Sequence, residues 1–200
     1  MEATVSFRDF EERDIEFIYK CKNDEKLNSM IVGDWHPFTY EEAVKWVHGC
    51  MGEHDTFKFW AICTNDNEKK IVGWVSLSNI DNAKKSADFH GIVIADPTYR
   101  DGFAWIESYL FIYSYSFETL KLEQVYGSAR IDHIMSQIMR KAMFGKTIEL
   151  LKDRVAREGK LYDVNRGVLS SKDYFEHKEK GEYEIPAILK RIRSLKKEIK

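Results

Sequence analysis

Two histidines stand among residues that could act as a general base. His90 follows Asp88 by two positions in the apolar run Ala87–Ile94, which reads as a strand. Strand alternation then predicts that both side chains project from one face. A neutral imidazole with an ordinary pKa of about 6.5 can accept a proton at neutral pH. Asp88 could orient that ring or hold an ammonium group; a plain surface role is open for both residues. His36, beside Asp34 and Trp35 in Val32–Gly33–Asp34–Trp35–His36–Pro37, is the second candidate base. Trp35 offers either a stacking face for a ring substrate or an anchor for its own loop. Trp74 reads first as core and second as a substrate contact. The catalytic candidates are thus His90, Asp88 and His36, and the substrate-binding candidates are Asp34, Trp35, His36 and Trp74. The chemistry they suit is proton abstraction by a positioned general base.

Other chemistries find less support. Cys21, Cys50 and Cys63 form no C-x-x-C pair and lie at no zinc-ligand interval from a histidine. Neither a disulfide framework nor a metal site is expected, and free thiols in a reducing cytosol are.

The 200 residues suit one domain, and 44% hydrophobic with 32% charged residues is a globular composition. A net charge of −2 points to no nucleic acid or membrane partner. The N-terminal residues carry no basic segment followed by an apolar one, and Phe103–Phe117, interrupted by Glu107, is too short and polar to span a bilayer. The expectation is a cytoplasmic protein.

The elements that must position these residues can be read from periodicity. Thr4–Phe7 alternates as a strand, and Glu12–Cys21 has helical spacing. Thr39 stands three before Glu42, a capping box that should start a helix running to about His48. Phe57–Thr64 and Lys70–Leu77 form a hairpin across Asn65–Asp66–Asn67, and a turn at Asn79–Lys85 leads into Ala87–Ile94. A long helix over Ala104–Leu120 and a strand over Leu122–Ala129 follow. Asp132 is the expected N-cap of a helix reaching Met143, ahead of strands at Lys146–Leu151 and Leu161–Leu169. The order predicts an α/β fold with a mixed, mostly antiparallel sheet flanked by helices. Apolar residues at Ile185, Ile188, Leu189, Ile192, Leu195 and Ile199 make the tail a basic amphipathic helix. We expect residues 176–200 to pack on the 1–175 domain or on a dimer mate, in preference to an acidic partner or membrane.

The run Asp88–Phe89–His90–Gly91–Ile92–Val93–Ile94–Ala95–Asp96–Pro97–Thr98–Tyr99–Arg100 resembles the fourth strand and following loop of GNAT-superfamily acetyltransferases. The likeness is greatest to the branch holding ribosomal-protein N-terminal and aminosugar acetyltransferases. Tyr115–Ser116–Phe117–Glu118 is similar to the end of that family's long helix, and Arg140–Lys141–Ala142–Met143–Phe144 stands at its "E-K-L-G-F" run. Phe7–Arg8–Asp9–Phe10 with Asp14–Ile15, and Tyr40–Glu41–Glu42–Ala43 with Trp46, resemble its opening elements.

The resemblance implies a fold built around coenzyme A. Backbone at Ile92, Val93 and Ile94 would pair with the pantetheine amides. The loop and helix start at Arg100, Asp101, Gly102, Phe103, Ala104 and Trp105 would meet the pyrophosphate through backbone N–H groups. His133 and Ser136, at the family's Asn and Ser positions, could bind the cofactor arm. Two departures stand out. Family members write the loop as Arg or Gln, two residues, Gly, one residue, then Gly or Ala. Here Phe103 and Trp105 occupy the small positions, with Gly102 and Ala104 one place early. The tyrosine that many members use as general acid is replaced, Met139 standing nearest its place. The expected activity is transfer of an acyl group, acetyl by default, from acyl-CoA to a primary amine, with no metal and as a homodimer. A nucleotide-linked amino sugar is the expected acceptor, with Trp35, Trp74, Tyr40 and Tyr126 as possible stacking faces. A protein N-terminus is the alternative acceptor, and a non-catalytic binding module of the same fold is the rival from another class.

Overall fold

In the computed structural model the described residues are 3–33, 35–100, 102–157 and 159–198. Strands β1 (Val5–Arg8), β2 (Lys58–Thr64), β3 (Ile71–Asp81), β4 (Ser86–Ile94), β5 (Gln124–Arg130), β6 (Lys146–Arg157) and β7 (Lys160–Ser170) form one sheet in the order β1-β2-β3-β4-β5-β7-β6. Every neighbouring pair is antiparallel except β4 with β5. The expected mixed, mostly antiparallel sheet is therefore present.

Strand alternation sorts the apolar residues into two layers. Trp60 and Ile62 of β2 belong to one core, which contains Ala104, Ile106 and Ile112 of α4 (Phe103–Ser114), and Ile138, Met139 and Ala142 of α5 (Ile134–Ala142). Ala61 and Cys63, the alternate positions, join Ile15, Ile18 and Cys21 of α1 (Ile15–Lys22) and Ala43 and Val47 of α3 (Tyr40–Cys50). The three cysteines are free and buried, and loss of hydration pushes Cys21 and Cys50 to about 12 and Cys63 to about 11.

The capping box at α3 forms as expected: Thr39 Oγ1 accepts from Glu42 N–H at 3.2 Å, and Glu42 Oε2 accepts from Thr39 N–H at 2.7 Å. Other boundaries differ from expectation, each for a local reason. Asp14 accepts from Glu11 N–H and from the Arg8 guanidinium, so Glu12–Asp14 is a 3₁₀ turn and α1 starts only at Ile15. A short α2 (Glu25–Asn28), capped by Asp24, follows α1. The long helix is α4 followed by a π turn at Tyr115–Thr119, where Leu120 N–H bonds Tyr115 C=O. Glu107 inside α4 is half-buried, because its carboxylate accepts from the Thr4 and Val5 N–H groups and ties β1 to the helix. The N-cap of α5 is His133, since Asp132 is committed to a two-pronged pair with Arg130 at 2.9 and 2.6 Å. β3 runs on to Asp81, and the last two strands are longer than their sequence pattern, at 12 and 11 residues.

After β7, α6 (Ser171–Glu179) is capped by Ser170, and α7 (Ile185–Glu198) lies against α5. Ile188 and Ile192 enter the core of the α4 and α5 layer, and Arg191 Nε donates to Ala142 C=O at 2.9 Å. Lys190, Arg193, Lys196 and Lys197 stay exposed, and Ile199 lies outside the described residues.

Among the described glycines, Gly73 on β3 leaves the least room for a side chain. A Cβ there would stand 2.1 Å from the Val93 carbonyl oxygen. Gly73→Ala is expected to cost about 3 kcal/mol or more, or to prevent folding. Gly49→Ala, in α3 with nothing within 4 Å of the added carbon, should stabilise by about 0.5–1 kcal/mol. Urea denaturation midpoints read both.

Candidate active site

The only parallel pairing among the described strands is also the place where the sheet opens. β4 and β5 pair from Ser86↔Gln124 to Phe89↔Gly127 and then separate. Beyond that point β4 keeps β3 on its other edge as far as Ile94, and β5 keeps β7 as far as Arg130. Gly91–Ile94 and Ser128–Arg130 therefore face each other across a fork with no strand between them. Backbone polar groups on such edges need partners, and an extended chain carrying amides could supply them.

A bulge sits beside the apex of the fork. In the β3–β4 register Ser76 faces Gly91 and Leu77 faces Phe89, leaving His90 as the extra residue, with Gly91 at φ +127°. The bulge reverses strand parity. Ala87 and Phe89 pack in the α4 and α5 layer, and so do Ile92 and Ile94, whereas Val93 packs in the other. Asp88 and His90 flank Phe89, which packs in the α4 and α5 layer, and the Asp88 charge acts on the His90 ring. Asp88 is also committed elsewhere: Asn79 donates to it at 2.7 Å and Arg166 at 3.3 Å. His90 Nδ1 lies 3.4 Å from Ser78 Oγ. Lost hydration, and secondarily the Lys22 ammonium, push the His90 pKa below its ordinary value, while Asp88 pulls it back. An imidazole so placed is neutral at pH 7 and has a lone pair for a proton.

Lys22 is the residue that sequence reading missed. Its ammonium lies 4.4 Å from the Trp46 ring centre, 5.4 Å from Trp74 and 5.3 Å from Phe38. Burial lowers its pKa. Nothing in the amphipathic pattern of α1 separates this lysine from the exposed Lys20. The isolated Gly91 inside a strand pattern, by contrast, was a readable bulge signal.

The helix that follows β4 starts at the open end of the fork. Gly102 is its N-cap, with φ +111° in a region that favours glycine, and the first intrahelical bond runs from Ile106 N–H to Gly102 C=O at 3.1 Å. Ala104 is fully buried, and Phe103 and Trp105 are half-buried, Trp105 packing on the core. The first-turn amides and helix dipole suit an anion. Arg100 does not reach out to one: its Nε donates to Ile94 C=O at 2.9 Å and its Nη2 to Ala95 C=O at 2.7 Å, closing the end of β4. His133 is likewise engaged, its Nδ1 accepting from Ser136 N–H at 3.0 Å as the α5 cap.

The remaining candidates are scattered. Trp35 anchors its loop, its indole N–H donating to Lys22 C=O at 2.9 Å. His36 is exposed beside Phe38, with Nε2 3.8 Å from Glu42. Trp74 is buried against Trp46. Tyr40 packs edge-on against Tyr19, and Tyr126 lies under the Arg166 guanidinium. Asp34 and Asp101 lie outside the described residues. Among the described residues no group of three or more His, Cys, Asp or Glu side chains could hold a metal, and no helix is long and apolar enough to cross a membrane.

The family model for the acetyltransferase (GNAT) domain matches residues 4–144. No curated protein is significantly similar in sequence. Among solved structures, a spermidine N-acetyltransferase from Vibrio cholerae, in complex with CoA and spermine, superposes with a TM-score of 0.77 at 18% identity, over 87% of this chain and 99% of that one. An acetyltransferase of the GNAT family from Bacillus anthracis gives 0.71 at 17% identity, over 86% and 98%. A GCN5-related N-acetyltransferase from Brucella melitensis gives 0.73 at 14% identity, over 93% and 85%.

The electrostatics around His90 make a signed prediction. Its NMR titration midpoint should fall below about 6.5. Lys22→Met should raise that midpoint by removing a repelling charge, and Asp88→Asn should lower it further. A midpoint at or above 6.5 that neither variant moves would contradict this environment.

Proposed function

We propose, for a chain that belongs to the GNAT acetyltransferase family, that it transfers an acyl group from acyl-CoA to a small primary amine at the β4–β5 fork. The observation that carries this reading is the fork itself, with a helix N-terminus at its open end and a bulged histidine near its apex. The pantetheine arm would lie along Gly91–Ile94, and the pyrophosphate would meet the amides at the start of α4. The small residues required there are present as Gly102 and Ala104, so the one-place shift in the sequence leaves the N-cap glycine in place. Arg100 serves the site indirectly by holding the Ile94 and Ala95 carbonyls.

His90 is the base in this reading. Its depressed pKa keeps it unprotonated, so it can take the proton that the amine nitrogen sheds while bonding to the thioester carbon. The C–S bond then breaks, and the thiolate leaves with a proton relayed by water. Backbone N–H groups at the fork stabilise the tetrahedral oxyanion.

For the acceptor we favour an amine that also bears an anionic group, such as a nucleotide-linked amino sugar. Lys22 supports this: its charge acts on His90, and among the described residues no carboxylate pairs with it. A polyamine is the second reading, supported by the structural likeness to a spermidine N-acetyltransferase crystallised with spermine. A cation beside the base disfavours it.

Thiol release from acetyl-CoA, measured against a panel of amines, separates these readings. The expected result is turnover with nucleotide-linked amino sugars, reduced about a hundredfold or more in kcat/KM by His90→Ala. Turnover with spermine alone would move the acceptor to the second reading. Full activity in His90→Ala would remove the base assignment.

A further inference from the structure

A buried cation lies under the apex of the fork, on the side away from Lys22. Arg140 of α5 is 9% exposed, and its stem lies against Gly167 of β7 and Gly145 in the turn after α5. A Cβ on Gly167 would stand 2.7 Å from Arg140 Cδ, and one on Gly145 would stand 2.8 Å from Cγ. Nη2 donates to Asn165 C=O at 3.1 Å and, at 3.4 Å, to Gly127 C=O. Gly127 is the last β5 residue paired with β4, so the guanidinium ends at the point where the strands part. Nη1, on the same planar group, is buried and has no hydrogen-bond partner among the described residues. Among the described residues no carboxylate forms an ion pair with it. Its charge is felt instead by the phenols of Tyr109 and Tyr113, and these two rings meet Phe89 with centroids 5.0 and 6.1 Å away.

Burying a guanidinium without a counter-ion is costly, and an unpaired donor adds to that cost. A helix staple would need only the two carbonyl bonds and could be made by an uncharged side chain. A charged group with a spare N–H pair, beside two phenols, suits an anionic ligand that accepts two hydrogen bonds. The charged neighbours of His90 are Lys22 and Asp88, whereas the neighbours of Arg140 are the neutral phenols of Tyr109 and Tyr113, so the two groups stand in different surroundings.

We propose that Arg140 reads the far end of the acyl chain, and that the preferred donor is an ω-carboxyacyl thioester of coenzyme A in place of acetyl-CoA. The inference rests on the fork being the acyl-CoA site. The carboxylate would take the Nη1 donors. Removing a charge-assisted hydrogen bond of this kind typically reduces affinity by about tenfold or more.

Calorimetric titration of CoA, butyryl-CoA and succinyl-CoA tests this, because the last two differ only in a terminal methyl against a carboxylate. Succinyl-CoA should bind wild-type protein at least about tenfold more tightly than butyryl-CoA, and the ratio should fall to within about twofold in Arg140→Met. Equal affinity for the two thioesters, or a preference that survives Arg140→Met, would overturn the proposal while leaving the CoA site intact. Failure of all three ligands, CoA included, would instead remove the reading of the fork on which it depends. If Arg140→Met does not fold, the wild-type comparison still decides the matter.

Discussion

The structure turns on four residue pairs. From Ser86↔Gln124 to Phe89↔Gly127, β4 and β5 run parallel and share hydrogen bonds; one residue later they do not. A parallel pair requires a crossover, here α4 with its π turn, and such a crossover places the helix start at the carboxyl end of the first strand. The same divergence that breaks the ladder therefore brings a dipole-rich helix end to the mouth of the opening. Nothing else in the sheet needs this arrangement, since every other neighbour is antiparallel.

Much of the surrounding structure can be understood as supporting a sheet with a gap in it. Glu107 fastens the first strand to α4 through two backbone N–H groups, and Arg100 caps the free end of β4. On the far side, β5 is held by β7 along seven residue pairs, and α5 is covered by α7. The π turn is pinned by Glu118, which accepts from Tyr174 and Lys178 and whose pKa those bonds lower to about 2. These contacts fix the two arms of the fork separately, which lets them diverge without either arm fraying.

The fold was legible in the sequence because its signals are local. Thr39 with Glu42 announced α3, and Asn65–Asp66–Asn67 announced the β2–β3 hairpin. The order of elements then restricted the sheet to a few topologies. Boundaries were misjudged where a side chain outcompeted a backbone pattern, as with Asp14 at α1 and the Arg130–Asp132 pair ahead of α5. The candidate site was legible in outline only. His90 stood out by type, but the bulge that it occupies is something alternation cannot express. Lys22 and Arg140 were invisible as special residues, because their significance comes from burial and from missing partners. Those are tertiary properties, and a lysine or arginine in an amphipathic helix looks the same whether it faces water or a cleft.

The central claim is that the fork receives coenzyme A, and amide hydrogen exchange with and without CoA tests it most directly. Slowed exchange concentrated at Gly91–Ile94 and at the first turn of α4, with the β1–β2 edge unchanged, is the predicted result. Saturating CoA that protects neither segment, or that protects only residues remote from the fork, would contradict the account.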